Sequence, residues 1–234
     1  IWGQMGVIEP IAIISCISSR WSAGAIDAIN RYFDHPNIPV GINRRSRVLD
    51  QELAKTYTRY LTQHYDNRYK DMDAEDAVSV YRRVLAAQPD HSVQIDSIGM
   101  LTTVAQLLQS PPDLYSPLNG VELVKQKVSR LVAMAGNFIT YYSEADWYTI
   151  DVEWNIDMDV PPAQYVAEHW PVDMVWSGFE TGGGVMTGKR LIDTAPQEHP
   201  VREAYSLFTN GIDRISCDLA TLHYAVLGTP EYWE

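Results

Sequence analysis

Apolar and polar positions along this chain fall into blocks whose period switches repeatedly between strand-like and helix-like. VIEPIAIISCISS (Val7–Ser19) is a short, β-branched, nearly continuous apolar run ending in small polar residues, which predicts a buried parallel strand. AGAIDAINRYF follows with Ala25, Ile26, Ile29 and Phe33 at helical spacing, and PNIPVGI returns to a strand pattern. Together they predict a βαβ unit. Residues 43–72 are polar, basic and tyrosine-rich, and predict a long surface excursion, helical from Asp50 to His64. DAEDAVSVYRRVLAAQPD then predicts an amphipathic helix. Asp73 is its expected N-cap, Ala77, Val80, Tyr81, Val84 and Leu85 its buried stripe, and Pro89 its stop.

The alternation continues to the end of the chain. HSVQIDSIG, VSRLVAMAGN and VDMVWSG predict strands. TTVAQLLQS, PPAQYVAEHW with Pro at its start, and PVREAYSLFTNG with Gly211 past its end predict helices. DLATLHYAVLG predicts a last helix, apolar at Leu219, Leu222 and Val226 and closed by Gly228. Strands alternating with helices imply an α/β fold: a mostly parallel open sheet with helices on both faces. No internal repeat or low-complexity linker divides the 234 residues, so a single α/β domain over residues 1–234 is expected.

Composition narrows the partners more than the chemistry. The 46% apolar content is ample for a core, and a formal charge of −12 disfavours nucleic acid and anionic membrane surfaces. No apolar run approaches the roughly 20 residues needed to cross a bilayer. Cys16 and Cys217 make neither a disulfide framework nor a zinc site. The chain opens Ile-Trp-Gly-Gln without an initiator Met or a leader pattern, so it is expected to be incomplete at its N-terminus, and it specifies no compartment.

In open α/β sheets ligands sit beyond the carboxyl ends of the strands. That directs attention to Ser18 and Ser19, Gly99 to Thr102, Gly136 and Asn137, and Gly178 to Gly184. TGGGVMTG (Thr181–Gly188) fits neither the dinucleotide fingerprint nor the P-loop, because Gly188-Lys189 runs into Arg190, and it reads as a glycine-rich strand-to-helix turn. No GxSxG nucleophile elbow is present, and His64, His91, His169, His199 and His223 lack HExxH spacing. VEWNIDMDVPPAQYVAEHW crowds carboxylates around Asn155; either this is a solvated acidic loop or Glu153 and Asn155 hold a polar ligand. Asp218, opening the last helix, and Thr102, at the mouth of a strand-to-helix turn, each have a capping reading beside a metal-binding one.

Three of these segments, in this order, resemble the inosine/uridine-preferring nucleoside hydrolases, and in particular a distant branch of them. SIGMLTTVAQLL resembles their "GPLTNLA" turn, VEWNIDMDVPPAQYVAEHWPVDMVWSGFETG their "AEFNxxxDPEAA" segment, and SCDLATLHYAV their "HDPxAVAYV" or "SWDxxAVLYAV" segment. The resemblance runs from about Val7 to Gly228, with Asn43–Met72 poorly covered. It implies hydrolysis of the N-glycosidic bond of ribonucleosides by a calcium-bound water, through an oxocarbenium-like transition state. Carried over residue by residue, Thr102 would give calcium its backbone carbonyl and Asp218 its carboxylate. Glu153 and Asn155 would bind the ribose hydroxyls, and Asp159 would cap the helix at Pro161. The family's "DxDxGxDD" cluster, with most calcium ligands and the catalytic base, has no counterpart here; it and the first strand are expected upstream of Ile1. Cys217 stands where the best-known members have a leaving-group histidine, and Ser19 where many have an Asn.

Two functions are compatible with these observations. One is a nucleosidase, active in its full-length form, in which Thr102, Glu153, Asn155 and Asp218 serve with upstream aspartates. The other is a non-catalytic relative that binds a nucleoside, a sugar or a partner protein. In both the expected ligand is a small nucleoside or related glycoside, and a homo-oligomer is compatible with either.

Overall fold

The computed structural model describes residues 3, 5–46, 57–139 and 152–228. In chain order the elements are β1 (Ile13–Ser15), α1 (Arg20–Tyr32), β2 (Val40–Ile42), α2 (Tyr57–His64), β3 (Glu75–Asp76), α3 (Ala77–Ala86), β4 (Val93–Ser97), α4 (Thr102–Leu108), α5 (Gly120–Lys127) and β5 (Val128–Met134). They continue with α6 (Trp154–Asp157), α7 (Val160–His169), β6 (Asp173–Ser177), α8 (Glu180–Gly183), β7 (Met186–Thr187), α9 (Lys189–Thr194), α10 (Pro200–Thr209), β8 (Arg214–Ile215) and α11 (Cys217–Leu227). The chain divides into two compact units, Ile1–Val84 with Thr187–Arg214 and Leu85–Met186 with Ile215–Glu234. Each holds a parallel sheet flanked by helices, in the order β1-β2-β3 in the first and β4-β5-β6 in the second. The predicted parallel α/β architecture is therefore present.

In the first unit Ala23, Val40, Ile42, Tyr69 and Ala74 form a buried cluster, with Ile26 packed against it. The predicted βαβ unit is there, but its first strand is only Ile13–Ser15, and Val7 and Ile8 stay exposed. Pro10, which has no N–H to donate, precedes the strand, and among the described residues of this unit β1 pairs with β2 alone. The excursion carries helix α2 at Tyr57–His64; the rest of the helix expected from Asp50 lies outside the described residues. Asp73 is not the cap of α3. Asp76 takes that place: its Oδ2 accepts from the Ser79 N–H at 3.1 Å, because β3 runs directly into the helix.

In the second unit β5 is the spine, with Leu131, Val132, Ala133 and Met134 all buried. Val93 and Ile95 of β4, Val104 and Leu107 of α4, Leu123 and Val124 of α5 and Val166 of α7 complete the apolar interior. Helix α5 starts with a capping box between Asn119 and Glu122, a signature that hydrophobic periodicity does not report. Helix α11 buries Cys217, Thr221 and Ala225 and leaves Leu219 exposed, so the Leu219–Leu222–Val226 stripe is not its packed face. Hydrogen bonds decide that orientation. Thr221 Oγ1 is 2.8 Å from Ser177 Oγ at the end of β6, and the Ala225 carbonyl accepts from Gln94 Nε2 and Arg130 Nη2, each at 3.0 Å. Gly228 closes α11 in the left-handed region, as its position predicts. No helix among the described residues is long and apolar enough to cross a membrane.

Candidate functional site

The register of the second sheet sets Ser97 beside Ala133, and Ala133 beside Trp176, so β4, β5 and β6 end together. The segments leaving these three strands meet at that carboxyl edge. Thr102 opens α4, after β4, and is 2% exposed. Glu153 and Asn155, 4% and 7% exposed, are bonded to the end of β5. Asp218 sits in the first turn of α11, which is pinned to the segment after β6. There the Ser216 N–H reaches the Gly182 carbonyl at 3.2 Å, and Cys217 Sγ lies 3.4 Å from the Phe179 carbonyl. Gly182 permits this approach: a Cβ there would stand 2.4 Å from Cys217 Cα. All four predicted residues thus belong to one edge of one sheet, although they come from distant places in the chain.

Their side chains have different partners. Glu153 is the N-cap of α6. Its Oε1 accepts from the Asn155 N–H at 2.8 Å, and its Oε2 accepts from the N–H groups of Ile156 and Gly136, both at 3.1 Å. A carboxylate offers about four lone-pair sites, so these bonds leave about one. Asn155 donates Nδ2–H to the Met134 carbonyl at 3.0 Å, holding the start of α6 against the last residue of β5. The acidic passage around Asn155 is therefore not simply solvated, since its Glu153 and Asn155 are buried and bonded.

Asp159 occupies the N-cap position of α7, as predicted, but its side chain makes no capping bond. Its Oδ2 instead accepts the hydroxyl hydrogen of Thr102, tying the first turn of α4 to the first turn of α7. The carbonyl of the N-cap Leu101 begins the backbone ladder of α4 by accepting from the Ala105 N–H at 2.9 Å. The Thr102 carbonyl follows it at the first helical position, where a ladder bond uses one of its two lone pairs. Asp218 is exposed and lies two residues beyond Ser216, the N-cap of α11. Two further features were not read from the sequence. Ser177, Thr181 and Thr221 form a run of hydroxyls, at 2.9 and 2.8 Å, that joins β6 to α8 and α11. Glu180 accepts from the Phe138 N–H at 3.3 and 3.4 Å. The four-residue spacing of Ser177 and Thr181 is a local hint of the first.

Among the described residues no group of three or more His, Cys, Asp or Glu side chains is placed to share a metal ion. Calcium takes about six to eight oxygens, and the Thr102 carbonyl with the Asp218 carboxylate would give two. The described residues by themselves do not make up a calcium site.

No family model matches the sequence, and no curated protein does. Solved structures do. The chain is similar to an inosine-uridine preferring nucleoside hydrolase from Bacillus anthracis, with a TM-score of 0.67 and 17% identity, over 96% of this chain and 75% of that one. The fold is nucleoside hydrolase-like. It is also similar to an effector protein, with a TM-score of 0.56 and 15% identity, over 86% of this chain and 56% of that one. A third similar structure is the type III effector protein XopQ complexed with adenosine diphosphate ribose, with a TM-score of 0.53 and 16% identity, over 82% of this chain and 52% of that one. This chain therefore spans a little over half the length of each effector.

Proposed function

We propose that this nucleoside hydrolase-like protein binds a nucleoside, or a closely related N-glycoside, at the carboxyl edge of β4, β5 and β6. The observation that carries the reading is the arrival of Thr102, Glu153, Asn155 and Asp218 at one edge whose strands end in register. The remaining acceptor site of Glu153 and the amide oxygen of Asn155 would take the sugar hydroxyls, and groups that read hydroxyls discriminate strongly against ligands lacking them. The edge also holds Asp159, Glu180 and Asp218, which suits an uncharged polyol better than a phosphate.

In the hydrolytic form of this proposal the N-glycosidic bond is cleaved. Calcium would supply an oriented water of lowered pKa. Thr102 and Asp218 would contribute two of its ligands, and the rest would have to come from beyond the described residues. A binding protein without turnover is the second reading, supported by the likeness to an effector complexed with adenosine diphosphate ribose, a ligand that contains a nucleoside.

Titration with inosine and with uridine, each with and without calcium, tests both forms when release of free base is followed in the same samples. Binding with calcium-dependent release supports the nucleosidase, and binding without release supports the binder. No binding of either nucleoside overturns the proposal.

A further inference from the structure

The loop after β5 is held from several directions, yet it presents a large apolar side chain to solvent. The Gly136 N–H donates to Glu153 Oε2 at 3.1 Å, and the Gly136 carbonyl accepts from the Phe179 N–H at 2.9 Å. Two residues on, the Phe138 N–H is shared by the two oxygens of Glu180. Gly136 has φ +86°, and a Cβ there would come within 3.1 and 3.2 Å of two Phe138 ring atoms. The ring therefore lies over the Gly136 backbone, beside the amide that holds Glu153. Phe138 is nonetheless 63% exposed. Burying a phenyl ring is favourable, and a loosely held loop would be free to tuck this one inward. Here the backbone on both sides of Asn137 is fixed by carboxylates, which keeps the ring at the rim of the edge.

We infer that Phe138 is the platform on which the aromatic base of a nucleoside-type ligand stacks, with the sugar turned toward Glu153 and Asn155. The inference rests on the proposed nucleoside-binding function and adds to it a residue for the base, which that function leaves unassigned. Every nucleobase has a π-face, and stacking on an aromatic side chain tolerates a change of base. Phe138 accordingly strengthens binding of purine and pyrimidine nucleosides alike.

The test compares Phe138→Leu and Phe138→Trp with the unmodified chain, titrating inosine and uridine by calorimetry or by NMR shift changes. Leucine keeps most of the bulk over Gly136 and removes the π-face; tryptophan keeps the π-face. The expected result is about tenfold weaker binding of both nucleosides by the Leu variant and retained binding by the Trp variant. Equal affinity of the Leu variant and the unmodified chain overturns the inference and leaves the proposed function standing. So does a loss in both variants with a lowered melting temperature, which would make Phe138 a packing residue. If the unmodified chain binds neither nucleoside, the proposed function fails and the platform fails with it.

Discussion

The two parallel sheets end in polar residues that are satisfied in different ways. At the carboxyl edge of the first, Asn43 is fully buried, and its amide is saturated internally. Nδ2 donates to the Cys16 carbonyl and to Ser46 Oγ, and Oδ1 accepts from the N–H groups of Arg45 and Ser46. Asp76, closing β3, is paired with Arg45 at 2.9 Å. At the carboxyl edge of the second sheet, Glu153, Asp159 and Glu180 lean on backbone N–H groups or a hydroxyl, and Phe138 and Trp154 stay exposed around them. At the first edge the Asn43 amide is saturated by its own chain. The second combines residual acceptor capacity with exposed aromatic surface, the features a sugar-and-base ligand would use.

The largest effect should come from removing the close approach that brings α11 to this second edge. Gly182→Ala sets a methyl group against Cys217 Cα and N, both backbone atoms that cannot swing away. Overpacking of this kind costs about 3 kcal/mol. Denaturant unfolding should show that loss, and a cost under about 0.5 kcal/mol would mean that the first turn of α11 is not tightly seated.

The next test sets the two edges against each other. Asn43→Ala strips at least four hydrogen bonds from a fully buried position, and Glu153→Ala strips three from one nearly as buried. Each should destabilise by about 2–3 kcal/mol, since orphaned buried partners cost about 1–3 kcal/mol. Only the Glu153 variant should lose nucleoside binding at temperatures where both remain folded. Equal loss of binding in the two variants would reduce the comparison to stability alone.

These cases also show how much of the molecule was legible in its sequence. Local periodicity was enough for β4, β5 and α7, because β-branched runs and a leading proline act over a few residues. The alternation of elements brings Thr102 to a strand end, whereas Glu153, Asn155 and Asp218 are singled out by the resemblance of their segments to nucleoside hydrolase motifs. Their partners were not readable. The Asp159 carboxylate leaves its own helix for a threonine 57 positions away, and Glu153 takes an amide from Gly136, 17 positions earlier. The cap of α3 was missed by three residues, because Asp73 and Asp76 are equally good caps until the end of β3 is known. The packed face of α11 was missed because Thr221 and Ala225 are small and bonded, whereas the more hydrophobic Leu219 faces solvent.

A pH titration separates the units by a smaller margin. Asp27, buried in the first unit, feels burial pushing its carboxyl up. The Arg68 N–H at 2.8 Å and the Arg31 and Arg68 guanidinium groups more than offset this, leaving it below the usual 3.8. With the folded value depressed, the unfolded chain binds the proton first as pH falls. The stabilisation is complete above about pH 5 and is lost as pH drops through the unfolded and then the folded value. Asp27→Asn should therefore lose stability near neutral pH and show a flatter acid limb than the unmodified chain. Parallel acid limbs in urea midpoints would mean that Asp27 does not carry this linkage.

The smallest expected change is the one most diagnostic of chemistry. Asp218 is exposed in the first turn of α11, where a carboxylate gains about 0.3–1 kcal/mol from the positive end of the helix. Asp218→Asn keeps the shape and removes the charge, and a thermal melt run beside the assay separates any change in calcium response or base release from unfolding. The hydrolytic form of the proposal expects calcium-dependent release to fall sharply in this variant while nucleoside binding without calcium is kept. The binding form expects neither to change. A variant that releases base with undiminished calcium dependence would remove Asp218 from the metal site and leave the edge to Glu153, Asn155 and Phe138 as a place where nucleosides are held.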